Sequence, residues 1–77
     1  MTKACILLKV RPGKEKGVAE LAAKVAGVRF AFVTLGRFDV AAAVETRDYD
    51  ALEKVVDDLN RLEGVAVSET LPALGVK

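Results

Sequence analysis

Residues 28–45 read VRFAFVTLGRFDVAAAVE, two apolar runs separated by the short polar segment Gly36-Arg37-Phe38-Asp39. Each run is long enough for one strand and rich in residues that fit a pleated sheet. Glycine and aspartate are common in hairpin turns. We therefore predict a strand over residues 28–35, a tight turn over residues 36–39 and an antiparallel strand over residues 40–45.

The segments on either side of this hairpin alternate between strand and helix patterns. Residues 3–10 are rich in Ile, Leu and Val and predict a first strand, and residues 65–71, which lie before Pro72, predict a last strand. Residues 14–26 predict a helix that Gly27 ends, and a second helix is predicted from the N-cap Asp48 to Gly64. The apolar stripes of the two helices are Val18, Leu21, Ala22 and Val25, then Leu52, Val55, Val56, Leu59 and Leu62.

The order of these elements, βαββαβ, predicts an α+β fold in a single domain over residues 1–77. Two strand–helix–strand units joined by a hairpin form the ferredoxin-like arrangement, a four-stranded antiparallel sheet with both helices on one face. Right-handed crossovers leave few other topologies.

Both faces of the first three strands of the predicted sheet are apolar, although the two helices cover only one face. Ile6 and Leu8 alternate with Cys5 and Leu7 in the first strand. The later strands alternate in the same way, with Phe30 and Phe32 against Ala31, Val33 and Leu35, and with Val40, Ala42 and Val44 against Ala41 and Ala43. Monomers rarely expose an apolar patch of this size, so we predict packing of the sheet against another copy. The alternative is a monomeric sheet with surface alanines.

The composition disfavours most catalytic, metal-binding and DNA-binding functions. The chain has no histidine and one cysteine, Cys5, so it lacks the commonest general base and has no metal-ligand cluster or cofactor motif. Twelve basic and eleven acidic residues are scattered, whereas nucleic-acid binders usually carry a basic stripe. No segment is long enough to span a membrane or to form a signal peptide core, and a lone cysteine fits a reducing compartment. We expect a cytoplasmic protein that is not an enzyme.

The segment from Gly36 to Asp39 combines a cation, an aromatic ring and a carboxylate at one end of the sheet. A zwitterionic amino acid would use a carboxylate for its ammonium group, and a guanidinium or backbone N–H groups for its own carboxylate. A plain hairpin turn explains Gly36 equally well. The residues alone leave both interpretations open.

The chain resembles the C-terminal domain of Lrp/AsnC transcription regulators over nearly its whole length. That domain has a hairpin that reads Gly-x-aromatic-Asp before an apolar strand, then a helix, a Leu-x-Gly-Val segment and a last strand with alternating Ser/Thr. The corresponding segments here are Gly36-Arg37-Phe38-Asp39-Val40, Asp50-Ala51-Leu52, Leu62-Glu63-Gly64-Val65 and Ser68-Glu69-Thr70.

The resemblance implies a dimer formed through the sheets, of the dimeric α/β barrel type, and further assembly into rings, commonly octamers. It also implies that an amino-acid effector binds between dimers near the hairpin. By this resemblance the effector-binding residues are Gly36, Arg37, Phe38, Asp39, Ser68 and Thr70. The first strand follows Met1 with no helix-turn-helix before it, so we expect a stand-alone member that binds no DNA itself and acts as a metabolite sensor or as a partner of full-length regulators.

Two other classes of function share this element order. An ACT-like regulatory domain would bind amino acids at the turn around Pro12 and Gly13. A small dimeric enzyme of the ferredoxin-like kind would need a polar group in a cavity between sheet and helices, and the sequence predicts none.

Overall fold

The observed order of elements is βαββαβ, as predicted. The computed structural model describes residues 1–74. Its elements are β1 (Thr2–Val10), α1 (Glu15–Ala23), β2 (Val28–Val33), β3 (Val40–Thr46), α2 (Tyr49–Asn60) and β4 (Val65–Pro72). No helix in this part of the chain has the length and hydropathy to cross a membrane.

The four strands form one antiparallel sheet in the order β2-β3-β1-β4. The central strands β1 and β3 are in register with Ile6 opposite Ala42 and Leu7 opposite Ala41. On the other side of β1, Ile6 lies opposite Thr70 of the edge strand β4. The predicted ferredoxin-like fold is therefore confirmed.

The core lies between the sheet and the two helices. Every second side chain of β1 and β3 points to the helices, and Ile6, Leu8 and Val40 are completely buried there. α1 contributes Val18 and Ala22, and α2 contributes Leu52, Val55 and Leu59, all of them buried. The layer in which a ferredoxin-like enzyme would hold its substrate is thus packed with apolar side chains.

Helix α2 begins as predicted, with Asp48 as its N-cap. Asp48 has an extended backbone, and its carboxylate accepts a hydrogen bond from the Ala51 N–H at 2.9 Å, which satisfies one of the free N–H groups of the first turn. Helix α1 ends at Ala23, three residues before the predicted end. Lys24 and Val25 turn tightly, with i→i−3 hydrogen bonds to Leu21 and Ala22.

The early end of α1 follows from the packing of Gly27. This residue has φ +97°, and a Cβ there would lie 2.7 Å from a methyl carbon of Val55. The chain has to leave the helix before Gly27 in order to pass close to α2 and enter β2. Leu21, which the helical spacing placed in the core, is 46% exposed, so that prediction is wrong.

The predicted tight turn between β2 and β3 is also wrong. β2 ends at Val33 and β3 begins at Val40, so six residues connect them. We call this segment, residues 34–39, the hairpin loop.

The sheet surface away from the helices, called the open face below, is largely apolar on β1, β2 and β3 as predicted, and it also carries charged side chains, among them Lys3, Glu45 and Glu69. Its larger exposed side chains lie on the two edge strands, with Phe30 at 58%, Phe32 at 48%, Val67 at 58% and Leu71 at 46% exposure. The two phenyl rings stack with their centroids 6.0 Å apart. Between the edges lie Ala41, Ala43, Cys5 and Leu7, which are smaller or more buried.

Candidate functional site

The hairpin loop is ordered by its own hydrogen bonds. The Thr34 backbone N–H donates to the carbonyl oxygen of Asp39 at 2.9 Å, and the Thr34 hydroxyl donates to the carbonyl oxygen of Phe38 at 2.9 Å. Gly36 has φ +122°, a backbone conformation that other residues rarely adopt, and the space around it is open. The loop therefore closes on itself at its base and leaves its apex in solvent.

The loop is also tied to the end of β1. The Asp39 N–H donates to the Leu8 carbonyl at 2.9 Å, and the Val10 N–H donates to Oδ2 of Asp39 at 2.8 Å. The Lys9 ammonium donates to the Arg37 carbonyl at 3.1 Å and lies 4.0 Å from Oδ2 of Asp39. These contacts extend the pairing of β3 with β1 into the loop and hold one oxygen of the Asp39 carboxylate.

The apex presents groups that are free to bind. Leu35 is 100% exposed, and Arg37 is exposed with no ion-pair partner among residues 1–74. The N–H groups of residues 35–38 donate to no backbone carbonyl in the same part of the chain, and Oδ1 of Asp39 accepts no hydrogen bond there. Donors for an anion and an acceptor for a cation thus lie within one short loop.

The structure does not bring Ser68 and Thr70 to this loop within one chain. Their register partners on β1 are Leu8 and Ile6, so both lie on the helix-facing side of the sheet. The hairpin loop extends from β3, on the other side of β1. Neighbouring strands are about 4.8 Å apart, so roughly 10 Å separate β4 from β3.

Thr70 instead lines a groove between α2 and β4. This α2–β4 groove has a volume of about 500 Å³, and its lining residues are Tyr49, Leu52, Glu53, Val56, Asp57 and Thr70. Leu52 and Val56 form an apolar floor, while Glu53 and Asp57 are exposed on its rim. Neither rim carboxylate has an ion-pair partner among residues 1–74.

Several of these residues were not found from the sequence. The sequence did not single out Lys9, and only the register of β1 with β3 shows that it reaches the loop. Leu35 was assigned to β2, and the groove depends on how α2 packs on the sheet. The spacing of Tyr49, Glu53 and Asp57, at i, i+4 and i+8, was a usable signal because it places all three near one side of a helix.

The family model described as the Lrp/AsnC ligand binding domain matches residues 3–76. The chain therefore belongs to the Lrp/AsnC ligand-binding domain family, as the resemblance implied. This match favours that interpretation over the ACT-like and enzymatic alternatives. No curated protein sequence matches the chain.

Solved structures share the fold over almost the whole chain. TTHA0845 from Thermus thermophilus is 29% identical, with a TM-score of 0.94 over 100% of this chain and 98% of its own. AsnC from E. coli is 19% identical with a TM-score of 0.87, and the match covers 97% of this chain and 52% of AsnC. The regulator NMB0573 from Neisseria meningitidis, solved as a complex with L-Met, is 21% identical with a TM-score of 0.81 over 99% of this chain and 52% of its own.

Proposed function

We propose that this domain binds an amino-acid-type effector at the hairpin loop and dimerises through its open face, serving as a metabolite sensor or as a partner of Lrp/AsnC regulators. The observation that carries the proposal is that one loop contains both the free Oδ1 of Asp39 and the unbonded N–H groups of its apex. The L-Met complex of the related Neisseria regulator supports an amino acid as the ligand class.

The two charged groups of an amino acid have separate partners in this proposal. Its ammonium group donates to Oδ1 of Asp39, and its carboxylate accepts hydrogen bonds from the apex N–H groups and the Arg37 guanidinium. Gly36 leaves room for the ligand because nothing lies within 4 Å of the position of a Cβ there. Phe38 is half-buried beside this site and offers an apolar surface to the ligand side chain.

The open face supports a dimer with a two-fold axis parallel to the strands. Such an axis, between β1 and β3, places β1 of one copy over β3 of its partner. Because Leu7 and Ala41 are register partners within the chain, the axis also packs Leu7 of each copy against Ala41 of the other, a large side chain on a small one. The register pair Lys3 and Glu45 likewise brings opposite charges together across the interface. An axis perpendicular to the strands would instead pack Leu7 on Leu7.

The effector site is tested by replacing Asp39 with asparagine and with alanine. Asparagine keeps an oxygen for the Val10 N–H, so Asp39→Asn should preserve the loop while removing the negative charge that holds the ammonium group. Charge-assisted hydrogen bonds contribute about 1.5–3 kcal/mol, so both variants should bind about 10- to 100-fold more weakly. A thermal-shift screen of the twenty amino acids, starting with L-methionine, selects the ligand, and calorimetry measures its affinity.

The two variants separate binding from folding. Asp39→Ala should also lower the melting temperature, because it leaves the Val10 N–H without its acceptor, whereas Asp39→Asn should melt close to the wild type. If the selected ligand binds Asp39→Asn as tightly as the wild type, Asp39 only anchors the loop and the proposed ammonium contact is wrong.

A further inference from the structure

The charges at the hairpin loop do not balance. Lys9 and Arg37 are cations, and within residues 1–74 the only carboxylate in an ion pair with either of them is that of Asp39. The Lys9 ammonium lies 4.0 Å from Oδ2 of Asp39 and donates to the Arg37 carbonyl oxygen at 3.1 Å. Because Asp39 is paired with Lys9, the guanidinium of Arg37 is unmatched in this part of the chain, and the loop carries a surplus of one positive charge.

The unmatched guanidinium belongs to the same short segment as the groups that would bind an effector. Arg37 is two positions from Asp39, so their Cα atoms are at most about 7 Å apart. Arg37 is exposed, and so is Arg11, the next charged residue after Lys9 along the chain. A bound anion is therefore favoured by positive charge both on the loop and just beyond the end of β1.

A neutral amino acid would leave the surplus charge in place, because its own ammonium and carboxylate groups cancel. An amino acid with an acidic side chain brings a second carboxylate, which removes the imbalance. The planar guanidinium of an arginine donates two parallel hydrogen bonds to a carboxylate, so Arg37 suits the carboxylate of the ligand side chain. The apex N–H groups then hold the α-carboxylate, and Oδ1 of Asp39 holds the ammonium group.

We propose that the hairpin loop binds an acidic amino acid, aspartate or glutamate, in preference to neutral ones, and that Arg37 determines this preference. The inference rests on the proposed function in taking the loop as the effector site, and it narrows the effector to one chemical class. Because Arg37 is exposed, water and salt screen its charge, and the preference is moderate rather than absolute. Free lysine and arginine bind most weakly, since they add a cation to a loop that already has a surplus of positive charge.

Two matched pairs of ligands test the preference, glutamate with glutamine and aspartate with asparagine. Each amide has the shape of its acid and one negative charge fewer. Calorimetry should show at least one acid bound about 10-fold more tightly than its amide, as expected for one additional charge-assisted contact. Raising the salt concentration to about 1 M, where the screening length falls to about 3 Å, should reduce this ratio.

Variants of Arg37 test its role. Arg37→Gln should bring the ratio of acid affinity to amide affinity close to one, and Arg37→Lys, which keeps the charge without the planar guanidinium, should retain part of the preference. The matched control is Arg47→Gln, which removes an exposed arginine just beyond the end of β3 that is remote from the loop and should keep the wild-type ratio.

The possible outcomes separate this inference from the proposed function. The inference is overturned if each amide binds as tightly as its acid, or if Arg37→Gln keeps the wild-type ratio. If a neutral amino acid binds more tightly than both acids and Asp39→Asn weakens its binding, the inference fails and the effector site stands. If none of the twenty amino acids binds, the effector site is refuted and this inference with it.

Discussion

Replacing Ala43 by glutamate should dissociate the sheet-to-sheet dimer. Ala43 lies near the centre of the open face, in register with Cys5 on one side and Phe30 on the other. It is half-buried in the single chain, so a glutamate there is solvated in the monomer. In the dimer the same side chain enters the space between two sheets, which pack about 10 Å apart. The substitution therefore acts on association rather than on folding.

The loss of dimer affinity is estimated by comparing the free energy that the apolar open face contributes with the cost of burying the two new carboxylates. Phe30 and Phe32 expose 58% and 48% of their surface. With about 200 Å² per ring, they supply about 5 kcal/mol per copy when covered, or about 10 kcal/mol per dimer. Association costs about 4–15 kcal/mol in lost translational and rotational entropy, so the net free energy that these two rings leave for holding the dimer together is small. Two buried carboxylates that cost about 2–4 kcal/mol each weaken the dimer about 10³- to 10⁶-fold.

Light scattering at micromolar protein measures this change. Wild-type protein should be at or above the mass of two copies, and Ala43→Glu should shift to smaller species, with the 8.2 kDa chain as the limit. Ala23→Glu is the matched control because Ala23 is exposed at the end of α1, in the helix layer. The reasoning is refuted if Ala43→Glu, still folded by circular dichroism, keeps the wild-type mass.

Two further predictions concern the fold and nucleic acid. Gly27→Ala should lower the free energy of unfolding, measured by urea denaturation, by about 2–4 kcal/mol, because alanine disfavours φ +97° and its Cβ would lie 2.7 Å from a methyl carbon of Val55. Gly13→Ala is the matched control: it has the same kind of strain in φ but open space around the new Cβ, so it should lower the free energy of unfolding by less. Equal losses would mean that the close contact with Val55 contributes nothing. The chain should also fail to retain duplex DNA at physiological salt, since its formal charge is only +1, and sequence-dependent retention in a gel-shift assay would contradict this.

The sequence by itself determined the order of the elements and the character of both sheet faces. Successive side chains of a strand point to opposite faces of the sheet, and this local rule, applied to residues 3–10 and 40–45, correctly placed Leu7 and Leu8 on opposite sides. The Asp48 cap was equally local, since its carboxylate bonds to an N–H three residues ahead. The residues of the hairpin loop could be singled out as a group, because cation, aromatic ring and carboxylate lie within four positions.

The tertiary structure decided what these local patterns leave open. α1 ends at Ala23 because Gly27 has to pass close to Val55 in α2, a contact between residues 28 positions apart. Asp39 holds β1 through the Val10 N–H, and Lys9 bonds to the loop, only because β1 pairs with β3. Ser68 and Thr70 face the helices rather than the loop for the same reason, since strand order and register assign each side chain its neighbours. Sequence periodicity shows which face a residue occupies, but the strand or helix that lies across from that face depends on contacts between distant segments.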